Sequence, residues 1–158
     1  MLGIFDMPHK TQTLLLTLAS TAMILSAWGF QYLGYPPCKM CYWQRYPHIA
    51  AIAIGALAYT LKLRVFHWLG AAAMLVTGGI GIFHSGVERG LWEGPSTCTS
   101  GDISKLNSSE LFDQIMNAPL VRCDEIAWQM LGFTMANLNA IFSLIFAVFW
   151  LRLALARN

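Results

Sequence analysis

The stretch 11-TQTLLLTLASTAMILSAWGFQYLGYPPCKMC-41 carries no charged side chain over residues 11–37 and then ends in two cysteines, Cys38 and Cys41. An apolar run of this length exceeds the roughly 20 residues that a helix needs to cross a membrane. Lys10 precedes the run, as a basic residue precedes a secretory signal, but the run is too long and no small-x-small cleavage site follows it. We therefore predict a retained membrane helix with a cysteine pair at its far end.

The composition of the whole chain agrees with a membrane protein. Of its 158 residues 11% are charged and 56% are hydrophobic, whereas about 25% of an ordinary soluble domain is charged. A globule of this size could not bury so much apolar surface, and lipid accounts for it better. The net charge of +2 is small, and no basic run is interleaved with aromatics, so we exclude nucleic acid as a partner.

Three further stretches are free of charge, at residues 46–61, 65–87 and 126–151. Together with the first they predict an all-α integral membrane four-helix bundle, a single domain over residues 1–158, with spans at about 11–34, 43–61, 65–87 and 128–151. The second span is short. Extension back to Trp43 and snorkelling of Lys62 and Arg64 would make up the difference.

The number of spans decides which loops face the same side. With four spans, the outer loops at about 35–42 and 88–127 share one side of the membrane, and these loops carry all four cysteines. Basic residues close to the span ends favour a cytoplasmic location for the other side, which holds both termini. They are Lys10, Lys62, Arg64, Arg152 and Arg157. The cysteines are then expected in an oxidising compartment, where disulfides persist.

The second outer loop contains a candidate for a short amphipathic helix that lies parallel to the membrane. Ser108 or Ser109 would cap it. Its apolar face would rest on the lipid surface. The residues of that face are Leu111, Phe112, Ile115 and Met116.

The pair Cys38-Lys39-Met40-Cys41 stands at the entrance of the second span. The positive end of a helix dipole favours a thiolate over a thiol, and Lys39 acts in the same direction. The segment is not a site of haem attachment, because Tyr42 stands where the required histidine would be.

Arg45 would share a face with Cys41 on a continuous helix, four residues on. Pro47 disfavours helix just before it, so residues 41–46 are alternatively a turn ahead of a helix that begins near Pro47. Arg45 could stabilise a thiolate or bind an anionic oxygen of a ligand. His84, near the outer end of the third span, would lie at a similar depth, with Glu88 four residues later to orient its ring.

The second pair, Cys98 and Cys123, is separated by 24 residues. A structural disulfide between them would stabilise the fold by roughly 3.5 kcal/mol in the chain-entropy model. A four-cysteine zinc site is the other alternative, but such sites usually repeat a closely spaced pair, so we predict no metal.

At these residues the chain resembles the bacterial family of disulfide bond formation protein B, DsbB. The resemblance covers nearly the whole chain, and its motifs are weak singly but specific together. They are Cys38-x-x-Cys41 with Arg45, the pair Cys98 and Cys123, the run Cys123-x-Glu125-x-x-Trp128-x-x-Leu131-Gly132, and the segment 84–88 followed by Gly94-Pro95.

The resemblance implies a protein of the bacterial inner membrane, with cytoplasmic termini and periplasmic cysteine loops, that reoxidises the thioredoxin-like protein DsbA and passes electrons to a membrane quinone, ubiquinone or menaquinone. Cys98, on a loop open to the soluble partner, would take the thiolate of DsbA. Cys123 would then attack Cys38, and Cys41 would meet the quinone. Arg45 and His84 would be further quinone-binding residues.

Two other classes of protein share some of these features. A vitamin K epoxide reductase-like protein also combines a helix bundle, a Cys-x-x-Cys pair and a quinone, but it usually carries that pair late in the chain. A tetraspanin-like interaction protein would hold inert outer disulfides and should contain Cys-Cys-Gly, which this chain lacks.

Overall fold

The computed structural model describes residues 7–99, 109, 112, 116 and 121–156. Their elements are four helices and a small hairpin: α1 His9–Tyr32, α2 Lys39–Leu61, α3 Arg64–Glu88, β1 Gln129–Met130, β2 Phe133–Thr134 and α4 Met135–Leu155. Most of the predicted amphipathic helix at residues 108–116 lies outside the described residues. The all-α prediction is confirmed for the bundle.

Three of the four helices in the described part of the chain are long and apolar enough to cross a membrane, namely α1, α3 and α4. Large apolar side chains point outward along all four helices, as they do in a protein surrounded by lipid. Examples are Leu18, Leu25, Ile49, Leu57, Val76, Ile82, Ile145 and Val148. The structure thus supports a multi-pass membrane protein, while the crossing by α2 stays a prediction.

Helix α2 is continuous through Pro47, so the alternative of a turn over residues 41–46 is wrong. The proline removes only one backbone donor, the one that would bond to the carbonyl of Trp43, and the surrounding turns hold the helix together. The helix begins four residues before the predicted span. Cys38 caps it, since its Sγ accepts a hydrogen bond from the backbone N–H of Cys41 at 3.3 Å.

Helix α4 begins at Met135, seven residues after the predicted start of the fourth span. The residues in between form the antiparallel hairpin β1–β2, which turns through Leu131 at φ 52° and Gly132 at φ 82°. Thr134 then caps the helix in a capping box with Asn137. The hairpin and the capping threonine therefore make the helix begin several residues after the start of the apolar run.

Helix α3 is the centre of the bundle and packs against both α2 and α4, while α1 packs against α2 and touches α4. A Cβ atom at Gly81 would lie 3.0 Å from the backbone nitrogen of Ala140, so the absence of a side chain permits the close approach of α3 and α4. Small and apolar side chains fill the core away from the cysteines. They are Leu16, Ala51, Ala58, Ala71, Met74, Ala147, Trp150 and Leu153.

The two cysteine loops lie at the same end of the bundle, as the count of spans predicts. Cys38, Cys98 and Cys123 belong to one buried cluster. The opposite end carries the tight turn between α2 and α3, where Lys62 adopts a left-handed conformation. Arg64 there donates a hydrogen bond from Nε to the backbone carbonyl of Ala154.

Candidate functional site

The four cysteines form one disulfide and one pair of thiols. Cys98 and Cys123 are bonded, with their Cα atoms 5.3 Å apart. Cys38 and Cys41 are thiols whose sulfur atoms lie 2.9 Å apart. The sulfur atoms of Cys38 and Cys123 lie within 4.8 Å of each other. The fold thus brings the two pairs into contact, although 56 residues separate Cys41 from Cys98 in the sequence.

The disulfide is buried, which differs from the expectation that Cys98 is open to a soluble partner. Cys98 is 1% exposed and Cys123 is 0% exposed. The backbone N–H of Cys123 donates to the carbonyl of Cys98 at 2.6 Å, and the N–H of Cys98 donates to the carbonyl of Pro95 at 2.9 Å. An external thiolate can reach Cys98 only after the residues that bury the disulfide move aside.

Cys38 is surrounded by hydrogen-bonding groups although it is only 4% exposed. Its Sγ lies 3.5 Å from Nε2 of His84 and accepts the N–H of Cys41. The hydrogen bond with the Cys41 side chain, together with burial, raises the pKa of the Cys38 thiol. Ionisation of Cys38 is therefore disfavoured in the reduced pair.

A hydrogen-bond network fixes the proton on His84. The Nε2 group of Gln44 donates to the carbonyl of Met40 at 3.2 Å, and the same group lies 2.8 Å from Nδ1 of His84. Nδ1 therefore accepts, and the proton of the neutral ring is on Nε2. This N–H faces Cys38 and also Oε1 of Glu88, 3.8 Å away.

Glu88 is in turn held by Thr134, whose hydroxyl donates to Oε2 at 2.6 Å. The predicted pairing of His84 with Glu88 is present in the structure. Both ring nitrogens of His84 are thus close to protein groups, and the binding of a ligand by this residue stays a prediction. Nε2 of the neutral His84 ring carries a hydrogen, which argues against the ring as a metal ligand. Donor atoms of Cys38, His84 and Cys123 nevertheless lie within 4.8 Å of one another.

A cavity of about 300 Å³ opens beside the thiol pair, between α1, α2, α4 and the segment 121–128. Both thiols, Arg45 and His84 line it, and most of the remaining wall is apolar or aromatic. The apolar and aromatic lining includes Met23, Ile24, Phe30, Tyr35, Trp128, Met135, Leu138 and Phe142. A cavity of this size and character suits a flat apolar ring with few polar atoms.

Arg45 is held on the cavity wall by α1. Its guanidinium donates to Oε1 of Gln31 at 2.9 Å and to the carbonyl of Ala27 at 3.2 Å, and it lies over the ring of Tyr42 at 5.2 Å. These bonds use two of the five N–H donors of a guanidinium. Arg45 is thereby oriented toward the bundle and can donate to a ligand in the cavity.

His48, which was not predicted from the sequence, is 2% exposed and also lines the cavity. Its Nε2 lies 3.0 Å from Oδ1 of Asn139 and 3.3 Å from Oγ of Ser143. One signal was available, because Cys41, Gln44 and His48 are spaced three and four residues apart and form a polar stripe on a helix. The alternative of a turn over residues 41–46 drew attention away from this stripe.

Comparison with known proteins identifies a family over most of the chain. The family model described as "Disulfide bond formation protein DsbB" matches residues 9–153. A disulfide bond formation protein B of Acidovorax sp. (strain JS42) is 27% identical over 161 residues, covering 94% of this chain and 88% of the relative. An uncharacterized protein of Rickettsia prowazekii (strain Madrid E) is 26% identical over 152 residues, covering 89% and 85%. No solved structure matches the chain.

Proposed function

The chain belongs to the DsbB family of disulfide bond formation proteins, and we propose that it is a quinone-dependent thiol oxidoreductase that reoxidises DsbA. Family membership implies a role in disulfide bond formation. The proposal adds the bacterial inner membrane as location, a periplasmic thioredoxin-fold partner as electron donor, and a membrane quinone as electron acceptor. In this topology the basic end of the bundle, with Lys10 and Arg64, faces the cytoplasm.

The observation that carries the proposal is the approach of Cys38 to Cys123. Thiol–disulfide exchange proceeds by attack of a thiolate on one sulfur of a disulfide, so the donor and acceptor sulfurs must come into contact. A separation within 4.8 Å requires only a small shift for bond formation. A disulfide with a purely structural role does not require a second thiol pair so close to it.

The first exchange takes electrons from the partner. A thiolate of reduced DsbA attacks Cys98, the Cys98–Cys123 bond breaks, and Cys123 leaves as a thiolate. The second thiol of DsbA then attacks the mixed disulfide, so that DsbA leaves oxidised and Cys98 is reduced. Two electrons have passed to the second cysteine pair. Because Cys98 is 1% exposed, this step requires the residues that bury it to move.

The second exchange moves these electrons to the first pair. The Cys123 thiolate attacks Cys38 of a Cys38–Cys41 disulfide, and Cys41 leaves as a thiolate beside Arg45. Cys98 then attacks Cys123, which restores the second disulfide and releases Cys38. The N–H at Nε2 of His84 stabilises Cys38 as it leaves. The state after this step has Cys98–Cys123 bonded and both first-pair thiols free, as the structure has them.

The cavity residues fit a quinone ring. Its apolar and aromatic walls accept a flat ring, and Arg45 offers donors to a ring oxygen. When bound, a quinone accepts two electrons and two protons. The chain's own part is to hold the ring beside Cys41, to exclude water through the apolar walls, and to stabilise negative charge with the Arg45 guanidinium.

The test is anaerobic reduction of ubiquinone-1 by the purified protein in detergent, with reduced DsbA as donor. Reduction that depends on both the donor and the protein supports the proposal. A matched control replaces both Cys38 and Cys41 with serine, which should stop the reaction while the Cys98–Cys123 disulfide stays formed. No reduction of ubiquinone-1 or a menaquinone analogue, despite intact thiols, would contradict the proposal.

A further inference from the structure

His48 is a buried polar side chain on the cavity wall that the relay described above does not use. It lies on α2 three residues beyond Arg45, and both residues line the cavity. Arg45 reaches toward α1, where it bonds Gln31, whereas His48 reaches toward α4, where it contacts Asn139. The cavity therefore has a guanidinium group on its α1 side and an imidazole ring on its α4 side.

Asn139 fixes which ring nitrogen of His48 carries the proton. The Nδ2 group of Asn139 donates to the backbone carbonyl of Thr77 at 3.2 Å, so the atom that faces His48 is Oδ1, 3.0 Å from Nε2. An amide oxygen only accepts hydrogen bonds, and Nε2 must therefore carry a hydrogen. In the neutral ring the lone pair is then on Nδ1.

Nδ1 of His48 is buried and has no hydrogen-bond partner within the described part of the chain. A buried acceptor without a partner is costly, so a ligand that brings a donor to it gains affinity. His67, at the opposite end of the bundle, has a buried Nδ1 of the same kind. Only His48 of these two lines the cavity, and this second observation points to a ligand.

We propose that Nδ1 of His48 accepts a hydrogen bond from a hydroxyl of the reduced acceptor, a hydroquinone, and so makes the cavity favour the reduced ring over the oxidised ring. The inference rests on the proposed function. In the overall reaction the thiols of Cys38 and Cys41 become a disulfide, and their two electrons and two protons end on the two ring oxygens. The oxidised ring has only acceptor oxygens, which cannot bond to an acceptor nitrogen, whereas each oxygen of the reduced ring carries a hydrogen.

The roles of Arg45 and His48 are thereby separated. Arg45 only donates, and it can bond a ring oxygen in either oxidation state. His48 in its Nε2–H form has only the Nδ1 acceptor left for a ligand, and this atom bonds only the reduced ring. Preferential binding of the product shifts the equilibrium on the protein toward reduction of the acceptor.

The experiment compares binding of ubiquinone-1 and ubiquinol-1 under anaerobic conditions by calorimetry. The protein carries Cys38→Ser and Cys41→Ser, so that neither form reacts with it. His48→Phe keeps a planar ring but has no atom that accepts a hydrogen bond in the place of Nδ1, and His67→Phe is the matched control at the other end. We expect His48→Phe to reduce the preference for ubiquinol by about five- to tenfold, the effect of one hydrogen bond, and His67→Phe to leave it unchanged.

An unchanged preference in His48→Phe, with both forms still bound, would overturn this inference and leave the proposed function standing. Binding of ubiquinone-1 without ubiquinol-1 would also overturn the inference alone, whereas failure of both forms to bind the Cys38→Ser/Cys41→Ser protein would overturn the proposed function as well. If His48→Phe does not fold, ¹⁵N NMR of the histidine rings supplies the answer in the Cys38→Ser/Cys41→Ser protein. The Nδ1 resonance of His48 should move toward a hydrogen-bonded value with ubiquinol-1 and not with ubiquinone-1, and equal responses to the two would contradict the inference.

Discussion

The two ends of the helical bundle both carry histidines and arginines that bond to a neighbouring helix, but only one end sets them beside sulfur atoms and a cavity. At the turn end, Nε2 of His67 lies 3.1 Å from the hydroxyl of Thr13, and Arg64 bonds the carbonyl of Ala154. At the cysteine end, His84 faces a thiol and Arg45 lines the cavity. The same residue types therefore tie helices together at one end and surround the thiols and the cavity at the other.

A histidine or arginine that bonds across two helices is therefore not in itself a sign of a functional site. What distinguishes the cysteine end is the surroundings of each polar side chain. His84 lies beside a sulfur atom, and Arg45 and His48 line the cavity. The turn end supplies a matched control for each residue of the site. Substitutions at the two ends should consequently separate losses of activity from losses of stability.

The largest effect is expected for Cys41→Ser, which removes the sulfur assigned to the acceptor. Reduction of ubiquinone-1 should fall to the uncatalysed background, because the first pair can no longer form a disulfide. Exchange between reduced DsbA and the Cys98–Cys123 disulfide should persist, and trapping of the mixed disulfide would measure it. Turnover that survives this substitution would contradict the proposed order of the relay.

His84→Phe should slow exchange between the two cysteine pairs by about ten- to a hundredfold. The substitution removes the N–H that faces Cys38, and hydrogen bonds to charged groups contribute about 1.5–3 kcal/mol. Rapid-quench alkylation of the thiols would follow the exchange. His84→Gln restores a donor near the Nε2 position and should recover part of the rate. An equal loss in the control His67→Phe would point to packing instead of hydrogen bonding.

Arg45→Ala should raise the apparent KM for ubiquinone-1 by about tenfold, the value of one charge-assisted hydrogen bond. Steady-state kinetics at saturating DsbA would measure the change. Arg64→Ala at the turn end removes an arginine that also ties two helices together, and it should lower the thermal stability without changing KM. A KM for Arg45→Ala equal to that of the parent protein would place the acceptor elsewhere.

The smallest effect on activity is expected for Gly70→Ala, a change in packing at the turn end. A Cβ atom there would lie 2.6 Å from Cδ2 of Trp150, and overpacking of this kind costs about 1–3 kcal/mol of unfolding free energy. Thermal unfolding in detergent would show the loss, with KM unchanged. Gly79→Ala, in the same helix with nothing within 4 Å of the added Cβ, should keep or increase stability. Equal losses in both variants would contradict the packing account.

The sequence predicted the features that depend on composition and on counting. The predicted spans located α1 and α3 to within two residues at each end, and the even number of spans placed both cysteine pairs at one end. The pairing of Cys98 with Cys123 followed from the resemblance. These predictions succeed because hydrophobic length and chain parity do not depend on how side chains pack.

The features that the sequence did not reveal depend on contacts between distant residues. Pro47 lies inside a helix because tertiary packing tolerates one missing hydrogen bond. The burial of Cys98 and the contact of His48 with Asn139 depend on residues that lie far apart in the chain. The hairpin before α4 was hidden because apolar residues continue through it.

The most direct test of the central claim, that the two cysteine pairs form one relay, is to trap the bond between them. In the variant Cys41→Ser/Cys98→Ser only Cys38 and Cys123 remain, and mild oxidation followed by mass spectrometry of unreduced peptides would show whether they join. We predict a Cys38–Cys123 disulfide in most molecules, and much less linkage in the control Cys38→Ser/Cys98→Ser. Two thiols that stay separate and open to alkylation in the folded protein would contradict the account.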